Sequence, residues 1–167
     1  MRNVERIKQI LLCLIVAAIN IAADRITKLL AVKLLMNKNP IELLNRVIII
    51  SYTENKGAFL SLGRGWPEEL KYILLLYIPI AICLIVFIYC LFIEKDKIRT
   101  ILIMSMISGG IGNLIDRLLN NFSVIDFLNF GIGSLRTGIL NIADVSITFG
   151  AIAFVIYEIV SDRRKNA

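Results

Sequence analysis

Four long apolar blocks constrain this chain more than any other feature. They cover about residues 7–30, 70–93, 100–119 and 139–160, and each is long enough to cross the ~30 Å hydrocarbon core of a membrane as a helix. Hydrophobic residues make up 57% of the chain, and the mean hydropathy is +0.77. The sequence therefore predicts a mainly α-helical, polytopic membrane protein in which residues 1–167 form one membrane domain.

The first block has one competing interpretation. A basic start, an apolar run and the pair Ala22-Ala23 are also typical of a secretory signal peptide with its cleavage site. The helical pattern continues past those alanines through Asp24 and Lys28, and this continuation favours a membrane span.

The basic residues bear on the orientation of the spans. Nine Lys and Arg residues lie in two short tails and one tight turn, whereas ten lie in or next to the longer segments at about 31–69 and 120–138. The numbers are nearly equal, but the density is higher in the tails and the turn, which is typical of the cytoplasmic side. We therefore expect both termini in the cytoplasm and the two longer segments outside it. The net charge of +6 suits helix ends that face anionic lipid.

The composition excludes several kinds of chemistry. The chain has no histidine, so Ser-His-Asp and Cys-His catalysis are excluded and most zinc sites are disfavoured. Cys13, Cys83 and Cys90 lie inside apolar blocks and are expected to act as small buried hydrophobic residues. The basic residues form no stripe interleaved with aromatic side chains, which argues against a nucleic-acid partner. We expect neither a metal nor a cofactor.

Three aspartates, Asp116, Asp126 and Asp144, lie close together in the chain beside the ends of the last two blocks. An ionised carboxylate near hydrocarbon must be paired, solvated or protonated. Asp144 lies five residues into its block, and a rise of 1.5 Å per residue places it roughly 7–8 Å below the start of a helix. Two carboxylates held close together share protons with split affinities, as an acid/base pair requires.

Local spacing organises the other polar residues. Asn141 and Asp144 are three apart and share a helix face, as do Asn113 and Asp116. The β-branched runs at 47–52 and 124–127 predict strands. The segment Pro67-Glu68-Glu69 is typical of a helix start, with proline in the first turn and acids near the positive end of the helix dipole.

Each polar group also has a plainer interpretation. Asp24 and Lys28, spaced i, i+4, fit a structural ion pair. The polar residues at 113–117 fit a hydrogen-bonded network between helices, Asp126 alone would be a solvated loop acid, and the segment 55–58 alone would be a turn. Taken one at a time these motifs are weak, whereas their order and spacing together are specific.

Taken together, the motifs resemble those of the lipoprotein signal peptidases (signal peptidase II) over roughly residues 20–150. The matching segments are Asp24-x-x-Thr27-Lys28, Asn55-x-Gly57-Ala58, Gly112-Asn113-x-x-Asp116-Arg117, Val124-x-Asp126-Phe127 and Asn141-x-Ala143-Asp144.

The resemblance implies a bacterial intramembrane aspartic endopeptidase of the cytoplasmic (inner) membrane, with its active site at the extracytoplasmic face. Members of this family remove the signal peptide from diacylglyceryl-modified prolipoproteins, on the N-terminal side of the lipidated lipobox cysteine. The implied catalytic residues are Asp126 and Asp144. The implied substrate-binding or supporting residues are Asp24, Lys28, Asn55, Gly57, Asn113, Asp116, Arg117, Asn141 and Ala143.

The family fold adds a small extracytoplasmic β-cradle, expected at residues 45–63 and 122–138, and a short surface helix near 66–70. The partners would be prolipoprotein substrates and membrane lipid, and we expect a monomer. One position departs from the family pattern, because Phe59 stands where a second alanine usually follows Ala58. This difference bears on the shape of the substrate groove and leaves the two aspartates unchanged.

Two other classes of protein remain as alternatives. A small proton-coupled transporter would place its ionisable groups near the bilayer midplane, and none of the acids here is expected there. A non-catalytic membrane scaffold would use the polar residues only for helix packing, and it would tolerate amide replacements of Asp126 and Asp144.

Overall fold

A computed structural model of the protein describes residues 3–57, 63 and 65–165. Within these ranges, four helical segments are long and apolar enough to cross a membrane. They are α1 (Asn3–Leu35), the continuous helix made of α2 (Glu68–Tyr72), a π-helical segment (Ile73–Tyr77) and α3 (Ile78–Phe92), then α4 (Lys97–Leu119), and finally α5 (Ile142–Lys165). The predicted fold class, four membrane helices with a small sheet, is confirmed.

The π-helical segment has a local cause in the sequence. Pro79 has no N–H to donate to the carbonyl of Leu75, and its ring crowds that carbonyl. The wider π-helical turns at Ile73–Tyr77 contain this carbonyl, so they lie where the regular hydrogen-bond ladder is interrupted. The helix predicted near 66–70 is therefore the first part of the second spanning helix, since Glu68–Tyr72 continues into it without a break.

Helix α4 lies at the centre of the bundle and packs against α1, α3 and α5. Two of its glycines allow the close approach. A Cβ on Gly109 would lie 2.5 Å from the carbonyl oxygen of Ala143 in α5, and a Cβ on Gly112 would lie 2.7 Å from Asp24 Oδ2 in α1. The outer helix surfaces carry exposed leucine, isoleucine and phenylalanine side chains, as expected for surfaces that face lipid.

The strands form one antiparallel sheet at the end of the bundle where α1 and α4 end. Its order is β1 (Ile41–Leu43), β2 (Ile48–Asn55), β3 (Val124–Ile132) and β4 (Leu135–Leu140). Side chains of Ile125 and Phe127 pack on Ala31 and Leu35 of α1. This apolar contact fixes the sheet on the helix ends, so that β3 runs directly over the bundle.

The structure differs from the sequence predictions at several boundaries. Helix α1 continues to Leu35 rather than ending near residue 30, and β1 was not predicted. Residues 139–140 belong to β4, so the fourth spanning helix begins at Ile142 instead of near 139. Asp144 consequently lies in the first turn of α5 and not five residues below its start. Hydropathy alone does not distinguish an apolar strand end from an apolar helix start, which explains this error.

Candidate active site

Asp126 lies on β3, opposite Thr53 of β2, and only 3% of the residue is exposed. Its two carboxylate oxygens accept hydrogen bonds from two amide side chains. Asn141 Nδ2 donates to Oδ1 at 2.7 Å, and Asn55 Nδ2 donates to Oδ2 at 3.1 Å. Both donors are neutral, and none of the described cations pairs directly with this carboxyl group.

Asp144 lies at the N-terminus of α5. Its N–H donates to Asn141 Oδ1 at 2.9 Å, while the Asn141 N–H donates to Asp144 Oδ2 at 3.1 Å. This reciprocal pattern is a capping box, which satisfies two main-chain donors at the helix start. The other carboxylate oxygen, Oδ1, accepts from Asn113 Nδ2 of α4 at 2.8 Å.

Asn141 therefore connects the two carboxyl groups. Its side-chain amide binds Asp126 and its main chain binds Asp144, so one fully buried residue positions both. The same Nδ2 also donates to Asn113 Oδ1 at 3.0 Å, and this contact ties the pair to α4. Asp126 and Asp144 come from a strand and a helix, yet both accept hydrogen bonds from Asn141.

The environment of Asp126 changes its proton affinity. Burial, together with the negative charge of Asp144, raises the pKa of Asp126 to about 7, against the lowering effect of the hydrogen bonds from Asn55 and Asn141. Near neutral pH this carboxyl is therefore divided between its protonated and ionised forms. Two interacting carboxyls that hold one proton between them can supply an acid and a base together.

A second group of charged residues lies directly behind the pair. Lys28 Nζ lies 2.9 Å from Asp24 Oδ2 and 2.9 Å from Asp116 Oδ2. Arg25 contributes a second cation, 2.6 Å from Asp116 Oδ1 and 3.1 Å from Asp24 Oδ2. Two positive charges thus balance two negative ones, and the side chains of Asp24, Lys28 and Asp116 are each at most 1% exposed.

This charged group also holds the backbone that carries the candidate pair. Asp116 Oδ2 accepts from the N–H of Ile125, the residue before Asp126, at 3.0 Å. Asp24 Oδ1 accepts from the N–H of Ala143, the residue before Asp144, at 3.1 Å. Lys28 reaches Asn113 Oδ1 at 2.9 Å. The charged group therefore fixes the positions of both carboxyl-bearing segments, as the structural interpretation of these residues predicts.

Arg117 and Asn55 stabilise the loop that borders the site. The Gly57 N–H donates to Asn55 Oδ1 at 2.9 Å, and an Arg117 guanidinium N–H donates to the Gly57 carbonyl at 3.0 Å. The positions of Ala58 and Phe59, where the chain departs from the family pattern, lie outside the described residues.

The structure brings all the predicted site residues into one connected cluster at the sheet end of the bundle. One member of this cluster, Arg25, was missed by the sequence analysis. Its signal was present, because it is the third charged residue within one helical turn that also contains Asp24 and Lys28. No family motif drew attention to it, and its pairing with Asp116 depends on how α1 and α4 pack.

The fold is that of known bacterial membrane enzymes. Two solved structures described as bacterial membrane enzymes superpose on this chain with TM-scores of 0.77 and 0.73. The first is 22% identical in sequence and the match covers 93% of this chain and 91% of that one, whereas the second is 24% identical and the match covers 87% and 90%.

Sequence comparisons identify the family. A family model described as signal peptidase (SPase) II matches residues 16–160. The lipoprotein signal peptidase of Clostridium tetani is 36% identical over 152 residues, which are 89% of this chain and 93% of that protein. The lipoprotein signal peptidase of Borrelia hermsii is 38% identical over 120 residues, 69% of each chain. The chain belongs to the signal peptidase II family and is a membrane protease, which confirms the resemblance seen in the motifs.

Proposed function

We propose that this protein is an aspartic endopeptidase that removes the signal peptide from diacylglyceryl-modified bacterial prolipoproteins. Cleavage would occur on the N-terminal side of the lipidated lipobox cysteine, with Asp126 and Asp144 as the catalytic pair. The names of the relatives support the substrate class. The observation that carries the catalytic assignment is the bridging of the two carboxyl groups by Asn141.

The chemistry follows from a pair that holds one proton. The ionised carboxylate takes a proton from a water molecule, whose oxygen attacks the scissile carbonyl carbon. The protonated carboxyl donates a hydrogen bond to the carbonyl oxygen and so stabilises the negative charge that develops there. When the C–N bond breaks, the leaving nitrogen takes a proton from the pair, and the single shared proton is restored. Asn113, Arg117 and Asn141 would orient the pair and the substrate backbone.

The proposed setting is the bacterial inner membrane, with both termini in the cytoplasm and the active site at the extracytoplasmic face. The higher density of basic residues in the tails and in the turn between α3 and α4 supports this orientation. The lipid chains of the substrate would lie between helices while the polypeptide reaches the pair at the membrane surface. The active form would be a monomer.

The test uses the purified full-length protein and a diacylglyceryl-modified prolipoprotein, with mass spectrometry to detect loss of the signal peptide. We expect cleavage before the lipidated cysteine by the wild type and loss of cleavage in Asp126→Asn and in Asp144→Asn. Asp162→Asn, the same change at an exposed aspartate near the far end of α5, serves as the control and should cleave normally. Unchanged thermal unfolding would show that each variant is folded.

Two results would contradict the proposal in different ways. Cleavage at the wild-type rate by a folded Asp126→Asn or Asp144→Asn variant would show that the catalytic pair is wrongly assigned. A wild-type protein that leaves several lipidated prolipoproteins intact would contradict the function itself, and would favour the transporter or the scaffold.

A further inference from the structure

The end of the bundle opposite the sheet contains a cleft of about 560 Å³ that the proposed catalytic mechanism does not use. It lies between the start of α1 and the turn that joins α3 to α4. Its lining residues are Glu5, Lys8, Gln9, Leu12, Glu94, Lys95 and Lys97.

The polar groups at the floor of this cleft are already satisfied. Gln9 Nε2 donates to the Cys90 carbonyl at 2.8 Å and to Thr100 Oγ1 at 2.9 Å. Glu94 Oε1 accepts from the N–H groups of Lys95 and Asp96, at 2.8 Å each. Glu94 Oε2 accepts from the Tyr89 hydroxyl at 3.0 Å. The floor therefore holds α1 against the turn, and its carboxylate is occupied by main-chain and tyrosine donors instead of by the lysines at the rim.

The rim, by contrast, carries three positively charged lysine side chains. Lys8, Lys95 and Lys97 are exposed, and none of them forms an ion pair within the described ranges 3–57, 63 and 65–165. A smaller cleft of about 310 Å³ adjoins at Lys95 and adds Arg6. Among the described residues that line the two clefts, four are cationic and two, Glu5 and Glu94, are anionic.

The α4 helix start does not supply the anion site here. Asp96 Oδ1 accepts from the N–H groups of Ile98 at 2.8 Å and of Arg99 at 3.0 Å. These are donors that a helix would otherwise offer to an external anion. An anion at this end of the bundle would therefore be bound by the lysine side chains.

Apolar surface continues below the charged rim. Leu12 lines the larger cleft, while Leu91 and Phe92 line the smaller one. The guanidinium of Arg6 lies 5.0 Å from the centre of the Phe92 ring, which holds this cation where the apolar wall begins. Cations above an apolar wall match a phosphate group that is attached to acyl chains.

We propose that this cleft binds the headgroup of an anionic phospholipid, with the phosphate on Lys8, Lys95 and Lys97 and an acyl chain along Leu12. The positive charge of the lysines favours an anionic lipid over a zwitterionic one. The apolar wall favours a lipid over a free phosphate ion. The site lies at the far end of the bundle from Asp126, so it is independent of the proposed peptidase activity.

The test is native mass spectrometry of the purified protein, titrated with phosphatidylglycerol or with phosphatidylcholine. The wild type should retain phosphatidylglycerol in preference. Lys8→Gln/Lys95→Gln should weaken that binding by roughly thirtyfold, since each lysine near an anionic lipid surface contributes about 1 kcal/mol. Arg163→Gln/Arg164→Gln removes the same charge from exposed positions at the same end of the bundle, outside the cleft, and should change binding little.

A steric variant tests the shape of the cleft without changing its charge. Leu12→Trp keeps every cation but fills the apolar wall, and it should also weaken phosphatidylglycerol binding. Equal losses in the lysine and arginine variants would overturn the proposal, because they would show a response to bulk charge alone. Equal retention of the two lipids would overturn it as well. Inorganic phosphate that binds alone and displaces phosphatidylglycerol would show a phosphate-ion site and would also refute the lipid assignment.

Discussion

Replacing Lys28 with methionine tests whether the charged group behind the candidate pair acts as a balanced unit. Lys28 is 1% exposed and contacts Asp24 and Asp116, each at 2.9 Å. Methionine fills a similar volume but removes one of the two cations. The group would then carry two carboxylates and only Arg25, which leaves one uncompensated negative charge in the bundle.

The expected cost follows from the contacts that remain. Removing one partner of a buried ion pair costs about 3–5 kcal/mol, chiefly because a charge is left unpaired. Arg25 and the main-chain N–H groups of Ile125 and Ala143 still bind the carboxylates, so we expect about 3 kcal/mol, at the lower end of that range. For a chain of this length 1 kcal/mol corresponds to roughly 2–4 °C in Tm. The predicted decrease in Tm is therefore about 6–12 °C.

The assay can use the protein's own thiols. Cys13 and Cys90 are fully buried, so a thiol-reactive fluorophore reports their exposure during heating in detergent. Lys33→Met is the matched control, since it makes the same replacement on the same helix at an exposed lysine. Such a surface change should alter stability by no more than about 0.5 kcal/mol.

A charge-restoring second substitution sharpens the test. Lys28→Met/Asp116→Asn returns the group to one cation and one anion, and the asparagine oxygen can still accept from the Ile125 N–H. This double variant should regain at least half of the Tm lost in Lys28→Met. A Lys28→Met protein that unfolds within 2 °C of the wild type, or a double variant that shows the sum of two losses, would refute the reasoning.

Three further predictions concern the proposed site. Burial and the nearby carboxylate raise the pKa of Asp126 to about 7, so the pair keeps its shared proton when the pH is below about 7 and loses it when the pH is higher. We therefore expect kcat/KM for prolipoprotein cleavage to fall as the pH rises through about 7. Asn141→Ala removes a hydrogen bond that lowers the pKa of Asp126, so the alkaline limb of the pH profile should move to higher pH; a limb that stays in place would contradict the assignment. Gly112→Ala places a Cβ 2.7 Å from Asp24 Oδ2 and should lower both Tm and activity, whereas Gly110→Ala meets only a sulfur at 3.3 Å and should be milder on both measurements.

Hydropathy and motif order predicted much of this structure from the sequence. Long apolar runs located the four spanning helices because a membrane span requires a nearly continuous apolar segment. The β-branched runs located β2 and β3. The boundary between β4 and α5 was predicted wrongly, since the capping box that starts the helix at Ile142 depends on a side-chain interaction between Asn141 and Asp144. Spacing alone indicated only that these residues share a face.

The sequence predicted the members of the candidate site, but the contacts that distinguish them required the structure. In the sequence, Asp24, Asp116, Asp126 and Asp144 are four carboxylates beside apolar blocks, and local spacing does not distinguish their partners across helices. In the fold, Lys28 is centred between Asp24 and Asp116, whose charges it and Arg25 neutralise.

Within the described part of the chain, Asp126 and Asp144 receive amide and main-chain donors instead of cations in direct contact. Burial raises the pKa of Asp126, whereas the charges of Asp24 and Asp116 are balanced by Lys28 and Arg25 in direct contact. The ion-paired carboxylates, which also accept main-chain N–H groups, suit a structural role, and the amide-bound pair suits the proposed peptide hydrolysis.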